Sequence, residues 1–238
     1  MKIRLLLLLF GLGLWCCNKD TMSNPKPEPG VYVGGRGHNQ TTSLAEYWVN
    51  GTAVELDRGE NYAVNSIAIN GADIYAAGGD GYAAQYWKNG IAVILTVGTQ
   101  FAWASSVTVS GKDVYVAGYE GNVAKYWKNG MAVNLAENAI ATSIVISGTD
   151  VYVTGIVNRF ATYWKNGIAV NLTDGTENAF ANAIAISGTD VYVAGSEATD
   201  PDLHLPKAKY WKNGNAVILK TADGLGPAYA FSIFLVEK

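Results

Sequence analysis

The feature that most constrains this chain is a unit of about 40 residues that is written five times. The pentapeptide Tyr-Trp-Lys-Asn-Gly begins at Tyr86, Tyr126, Tyr163 and Tyr210, and a variant begins at Tyr47. An aspartate opens four of the units, at Asp73, Asp113, Asp150 and Asp190, with spacings of 40, 37 and 40 residues. A period of this length predicts an array of similar supersecondary units that bury a continuous core by packing on one another.

Each unit contains four short runs rich in Val, Ile, Tyr and Trp, which we label a to d. Residues 66–69 are one copy of run a, and residues 114–116 (Val-Tyr-Val) are one copy of run b. Run c ends in Tyr-Trp, and run d (Ala-Val-x-Leu) follows the Asn-Gly pair. Runs of this length and composition favour strands over helices. Asn-Gly between c and d predicts a two-residue type I′ hairpin.

The phase of the repeat predicts how the array ends. The chain enters the first unit at run b, from Val31, and leaves the last at run a, in residues 232–236. Neither end is complete alone, and together they supply five copies of each run. We therefore predict an all-β fold over residues 31–238, a five-bladed β-propeller with four antiparallel strands per blade. The C-terminal strand would pair with the N-terminal blade and close the ring.

The first sixteen residues are typical of a signal peptide and are excluded from the fold. A basic segment, Met1-Lys2-Ile3-Arg4, precedes an apolar run of eleven residues that is too short to span a bilayer. Leu14-Trp15-Cys16-Cys17 resembles the lipobox of bacterial lipoproteins, with Cys17 as the acylated residue. Cys16 is less favoured as acceptor because the bulky Trp15 would then fill the small-residue position. The alternative is an ordinary secretory signal with two incidental cysteines.

Residues 17–30 are predicted to be the lipidated cysteine and a proline-spaced tether. Acyl chains on Cys17 would anchor the protein stably to a membrane, with the lipid as its only membrane contact. Asn18 after the cysteine resembles lipoproteins that are passed on to the outer membrane. The expected location is therefore the cell envelope, at the outer membrane, on its periplasmic side or at the surface.

Over residues 31–238 the chain resembles bacterial repeat-propeller lipoproteins. In blade number and repeat plan it is also loosely similar to tachylectin-type five-bladed lectins, where a tyrosine-bearing strand likewise precedes a Tyr-Lys-Gly hairpin. The likeness to lectins implies a binding role, but it transfers no sugar site to particular residues.

Several function classes find no support in the sequence. The net charge of −3 gives no electrostatic reason to expect nucleic acid as a partner. The chain lacks a Gly-x-Ser-x-Gly elbow, a His-rich metal motif and a phosphate-binding loop, so no catalytic residues, metal or cofactor are predicted. A propeller glycoside hydrolase stays as a remote alternative, because such enzymes place carboxylate pairs at the ring mouth.

Candidate binding residues lie where the b–c and d–a loops share one face. These loops vary between units, whereas the a–b and c–d turns repeat almost unchanged, and variable loops on a constant scaffold are where binding usually resides. The predicted ligand-binding set is Trp103, Phe180, Tyr229, Tyr119, His38 and His204. The first three occupy one register of the repeat and would stack on a sugar or clasp a peptide. The alternative is that they plug the gaps between blades.

The sequence thus predicts a non-catalytic, lipid-anchored binding module that recognises a glycan or an extended peptide. The alternative is a structural scaffold lipoprotein that docks a protein of the envelope. The repeated Tyr-Trp pairs are interpreted as packing between blades, and the repeated Lys and Asp residues as solvated turn residues and turn caps.

Overall fold

The computed structural model describes residues 29–198, 205–221 and 226–236, and within them it is all β-structure without a helix. Nineteen strands form five separate antiparallel sheets that follow one another along the chain. Within these ranges no helix is long and apolar enough to cross a membrane.

The strands are numbered in chain order. Sheet 1 consists of β1 (Tyr32–His38), β2 (Ser43–Val49) and β3 (Thr52–Gly59). Sheet 2 consists of β4 (Ala63–Asn70), β5 (Asp73–Gly79), β6 (Ala84–Lys88) and β7 (Ile91–Ile94). Sheet 3 consists of β8 (Ala102–Ser110), β9 (Asp113–Glu120), β10 (Val123–Lys128) and β11 (Met131–Glu137). Sheet 4 consists of β12 (Ala139–Ser147), β13 (Asp150–Val157), β14 (Phe160–Lys165) and β15 (Ile168–Asn171). Sheet 5 consists of β16 (Ala179–Ser187), β17 (Asp190–Ala198), β18 (Pro206–Lys212) and β19 (Asn215–Ile218).

Each sheet from 2 to 5 is an up-and-down meander in the order a, b, c, d, as the repeat predicts. The c–d hairpins turn on Asn-Gly, and in sheet 2 Asn89 and Gly90 have φ of 51° and 81°. Positive φ at both positions is the requirement of a type I′ turn, which explains why Asn and Gly recur there. The a–b and c–d turns lie at one end of every sheet, which we call the turn face. The b–c and d–a loops lie at the other end, the loop face.

The core lies between successive sheets and is dominated by the tryptophan of strand c. Four of these indoles are 1% exposed: Trp87, Trp127, Trp164 and Trp211. Trp127 packs with residues of sheets 2 and 3, and Trp164 with residues of sheets 3 and 4. The interpretation of the Tyr-Trp pairs as packing between blades is confirmed for these tryptophans, while Trp48 in sheet 1 is only half-buried.

Neighbouring sheets are also joined by hydrogen bonds at a β-bulge in strand a. The bulge falls between Val64 and Ser66 in β4 and recurs in β8, β12 and β16. The bulge residue Asn65 donates from Nδ2 to the carbonyl of Ala104 in the next sheet at 2.9 Å. The bulge supplies one residue outside the ladder, and here that residue reaches across to the neighbouring sheet.

The C-terminal segment, residues 226–236, forms no strand, and sheet 1 has three strands where the repeat predicts four. The expected twentieth strand is thus not seen in the described residues, and no ladder joins it to β1. Two contacts nevertheless place the segment beside sheet 5. Ala228 N donates to the carbonyl of Pro206 at 2.8 Å, and Asn182 Nδ2 donates to that of Ala230 at 2.8 Å.

Candidate binding site

On the turn face, the repeated residues form ion pairs and hydrogen bonds with one another. In sheet 3, Lys128 Nζ lies 2.8 Å from Asp113 Oδ2, and Asn129 donates from Nδ2 to Asp113 Oδ1 at 2.8 Å. Asn129 Oδ1 accepts from Val114 N at 2.9 Å, and Lys128 Nζ lies 5.2 Å from the ring centre of Tyr115. The same cluster recurs around Asp73–Lys88, Asp150–Lys165 and Asp190–Lys212. We call these four clusters the turn locks.

Each turn lock shifts the pKa values of its aspartate and its lysine so that the charged form of both is favoured. Hydrogen bonds from Lys128 and Asn129 hold the pKa of Asp113 below its usual value. The hydrogen bond to Asp113 raises the pKa of Lys128 above its usual value. The lysines are partly exposed turn residues, as predicted, but they are also ion-paired, and the aspartates do more than cap a turn. Each pair joins the a–b turn of its sheet to the c–d turn.

Sheet 1 lacks this cluster. Gly30 and Val49 occupy the positions of the aspartate and the lysine. The asparagine contact persists, since Asn50 Oδ1 accepts from Val31 N at 3.0 Å.

The loop face differs from sheet to sheet at one register, where the end of strand a pairs with the end of strand b. Paired residues at this register are Ala63 and Gly79, Trp103 and Tyr119, Ile140 and Ile156, and Phe180 and Ser196. Sheet 2 has the two smallest residues of the series, and sheet 3, beside it, has the two largest. A hollow lies at the loops of sheet 2, beside the two large residues of sheet 3.

The hollow at the loops of sheet 2 has a volume of about 540 Å³ and brings two predicted residues together. Residues lining it include Trp103, Tyr119, Tyr82, Phe101, Arg36 and Asp80. We call it the aromatic hollow. Gly79 lies directly before the lining residue Asp80; it has φ of 154°, and an added Cβ would meet the carbonyl oxygen of Ala83 at 2.1 Å. A larger residue at position 79 would therefore have to displace backbone.

One wall of the aromatic hollow is a stacked pair from two loops. The rings of Tyr82 and Phe101 are 4.8 Å apart with an interplanar angle of 22°. They are 49% and 63% exposed. The Tyr82 loop is held in shape because Asp80 Oδ1 accepts from Tyr82 N at 2.8 Å and from Ala83 N at 2.6 Å. Two exposed, mutually ordered aromatic rings form a flat surface suited to the apolar face of a ligand.

A second hollow, of about 230 Å³, brings together Phe180 and Tyr229. Tyr229 stacks with Phe231 at 6.0 Å and 16°. Phe180 is 40% exposed and Tyr229 is 52% exposed, so neither is buried as a plug between sheets. Ser196 also lines this hollow, and its buried hydroxyl has no hydrogen-bond partner among the described residues. A buried hydroxyl without a protein partner is ready to bond a water or a ligand group.

His38 lines neither hollow. His38 is exposed at the end of β1, with Nδ1 3.5 Å from Ser43 Oγ. His204 lies outside the described residues. In the described part of the chain no three side chains of His, Cys, Asp or Glu are grouped in a way that would hold a metal ion.

Sequence reasoning missed Arg36, Tyr82, Phe101 and Ser196. Tyr82 and Phe101 lie outside the repeated runs, in loops of different length, so no register of the repeat relates them. Ser196 and Arg36 were detectable in principle, because they occupy the register of Tyr119 in the b strands of their own sheets. Side chains that depart from the others at a repeated position are the signal that was available.

Comparison with known proteins assigns no family. No family model matches the chain. No curated protein matches it either. Among solved structures, the chain is similar to the computationally designed Ika8 protein, with a TM-score of 0.45 and 15% sequence identity. That alignment covers 88% of this chain and 67% of the designed one.

Proposed function

We propose that the protein is a non-catalytic binding module of the bacterial cell envelope, anchored by lipid on Cys17, that recognises a glycan or an extended peptide through its loop face. The single observation that carries the proposal is the aromatic hollow. It combines four aromatic side chains, a cation and a carboxylate on the face where the repeat varies. Pockets that bind small molecules are mainly apolar with a few polar groups that fix orientation.

The fold that we propose for this module is a closed five-bladed propeller. Support comes from a contact that recurs at the chain end. Thr142 Oγ1 donates to the carbonyl of Ala181 in the next sheet at 2.6 Å, as Asn65 does to Ala104. Asn182 makes the same contact to Ala230 at 2.8 Å, so residues 226–236 follow sheet 5 as a strand a would.

The two free edges are complementary in character. Val33 of β1 is 50% exposed, and Phe234 of the C-terminal segment is 86% exposed. The repeat register pairs Ile233 with Val33, as β8 pairs Val107 with Val116. Pairing would bury apolar surface and remove two open edges, which are a liability for any sheet.

The lipid anchor rests on the sequence of residues 1–17, which lie outside the described residues. Metabolic labelling with a fatty-acid analogue tests it directly. Label is expected on the wild-type protein and on Cys16→Ser, and it should be absent from Cys17→Ser. Equal label on both variants would contradict the assignment of Cys17.

Glycan binding is tested with a glycan array and a tryptophan-fluorescence titration on soluble protein that begins at Asn18. Saturable binding is expected, and Trp103→Ala should weaken it at least tenfold, since stacking and burial are lost. Ile140→Ala is the matched control because Ile140 has the same register in sheet 4 and does not line the aromatic hollow. If both variants keep the fold and weaken binding equally, the aromatic hollow is not the binding site.

A scaffold role is the second candidate, and the outer strands favour it. The first residue of strand d is a large, mainly exposed apolar side chain in three sheets: Ile91, Met131 and Ile168. Apolar side chains repeated around a rim offer a surface to a protein partner. Two results together would favour this role. The protein would bind no glycan, and it would capture an envelope protein that a triple variant, Ile91→Ser, Met131→Ser and Ile168→Ser, no longer captures.

A further inference from the structure

We infer that the aromatic hollow selects saccharides that carry a carboxylate, such as hexuronic acids, with Arg36 as the residue that holds the carboxylate. The inference rests on the proposed glycan-binding function and names the ligand class of that site. It follows from the shape of the hollow, from the state of Arg36 and from the polar groups around it.

The shape suits a pyranose ring. Trp103 and Tyr119 line the aromatic hollow from sheet 3, and Tyr82 and Phe101 line it from the neighbouring loops. A volume of about 540 Å³ exceeds what one sugar needs, so the hollow admits more than a terminal residue of a chain. Aromatic walls pack against the C–H faces of a sugar ring and leave its hydroxyls free for polar contacts.

Arg36 differs from two lysines on the loop-face side of the sheets, of which Lys209 is buried and Lys125 is partly buried. Lys125 lies 2.5 Å from Glu120 in sheet 3, and Lys209 is paired with Glu197 in sheet 5. Arg36 is exposed at the edge of the aromatic hollow and makes no ion pair with any residue that the structure describes. Its charge is therefore available to a ligand.

The geometry of a guanidinium favours a planar anion. Arginine presents donors in a fixed fork that matches a carboxylate in a bidentate manner, and such charge-assisted bonds are about twice as strong as neutral ones. A neutral sugar offers the fork only hydroxyls, so the carboxylate should dominate selectivity at this position.

Asp80 supplies hydrogen-bond acceptors, which complement the donors of Arg36. Its Oδ1 is occupied by two backbone N–H groups, and a carboxylate has further acceptor sites on its other oxygen. It can accept hydrogen bonds from the hydroxyls of a sugar while disfavouring a second carboxylate close by. The ligand expected is thus a ring with hydroxyls at one side and one anionic group at the other.

The test is calorimetric titration of the full-length protein in detergent with hexuronic-acid oligosaccharides, each compared with its carboxyl-reduced form. We expect the acidic form to bind at least tenfold more tightly than the reduced form. Arg36→Gln should abolish this preference, and Arg36→Lys should restore part of it, because the charge returns without the fork. The matched control is Arg159→Gln, since Arg159 is also exposed on a loop of this face but does not line the aromatic hollow.

The outcomes separate the inference from the function beneath it. Equal binding of acidic and reduced forms, or a preference that survives Arg36→Gln, overturns the inference and leaves a neutral glycan binder. Binding of acidic peptides in place of any saccharide also overturns it. If neither saccharides nor peptides bind, the inference and the proposed function both fail.

Discussion

Sheet 1 and the four sheets that follow it are written from the same repeat, yet they are stabilised differently. All five have the Asn-Gly hairpin, and in sheet 1 Asn50 and Gly51 have φ of 51° and 84°, as elsewhere. Sheets 2 to 5 add a turn lock and a fourth strand, and sheet 1 has neither in the described residues. The turn itself therefore needs only Asn and Gly. The lock is an additional tie, and it is missing where the sheet also lacks strand a.

The comparison predicts that sheet 1 is the least stable of the five sheets. The first prediction concerns the core and has the largest expected effect. Trp127→Ala should lower the free energy of unfolding by about 3–5 kcal/mol, because a fully buried indole is lost. Trp48→Ala in sheet 1 should cost less, below about 3 kcal/mol, because that side chain is only half-buried. Urea denaturation measures both, and equal losses would contradict the difference between the sheets.

The turn locks predict an acid-sensitive stability. Each lock holds the pKa of its aspartate below the unfolded value, so its stabilisation is complete above about pH 4 and is lost as the pH falls through the folded pKa. Replacing all four by asparagine, in Asp73→Asn, Asp113→Asn, Asp150→Asn and Asp190→Asn, should lower Tm at pH 6. It should also flatten the dependence of Tm on pH below 4. Glu60→Gln removes an exposed carboxylate outside the locks and should leave the acid slope unchanged.

At alkaline pH the turn locks lose their stabilisation as the pH rises. The lysine of each lock has a raised pKa, so its contribution is complete below about pH 10.5 and is lost as the pH rises through the folded pKa. A Tm that stays flat at both extremes would mean that the locks contribute nothing measurable.

The smallest expected effect comes from building a lock into sheet 1. Gly30→Asp with Val49→Lys restores the pattern of the other sheets. The three atoms nearest to an added Cβ at position 30 all belong to the Asn50 side chain, which would have to shift. Hydrogen exchange should slow at the Val31 amide, with a small rise in Tm. Val49→Lys alone is the control. Faster exchange in the double variant would show that sheet 1 cannot accept the lock.

Local features were predictable from the sequence because local chemistry determines them. Asn89-Gly90 specifies its turn by tolerating positive φ. The tryptophan of strand c, such as Trp127, recurs because each interface between sheets needs a large apolar side chain to fill it. The pairing of residues 232–236 with Val33 is different, since it joins the two ends of the chain. The repeat fixes its register, but the described structure has the segment beside sheet 5 without a ladder to β1.

The candidate site was predictable in part, for a related reason. Trp103, Phe180 and Tyr229 stood out because they are large residues at one repeated position. The aromatic hollow, however, also includes Arg36 from sheet 1 and Asp80 from a loop of sheet 2, and the repeat does not show that these residues meet. Tyr82 and Phe101 come from loops outside the repeat, so their stacking depends on how those loops fold back over sheet 2.

Closure of the ring is the central claim, and cysteine pairing measures it most directly. In protein that begins at Asn18, which has no cysteine, Val33→Cys with Ile233→Cys should form an intrachain disulfide in the native state, detected by mass after mild oxidation. Val107→Cys with Val116→Cys, the equivalent neighbours in β8 and β9, gives the matched positive control. Efficient cross-linking of both pairs, lost for the first pair in denaturant, is the result we predict. Cross-linking of the control alone, or disulfides that form only between chains, would contradict a closed five-bladed propeller.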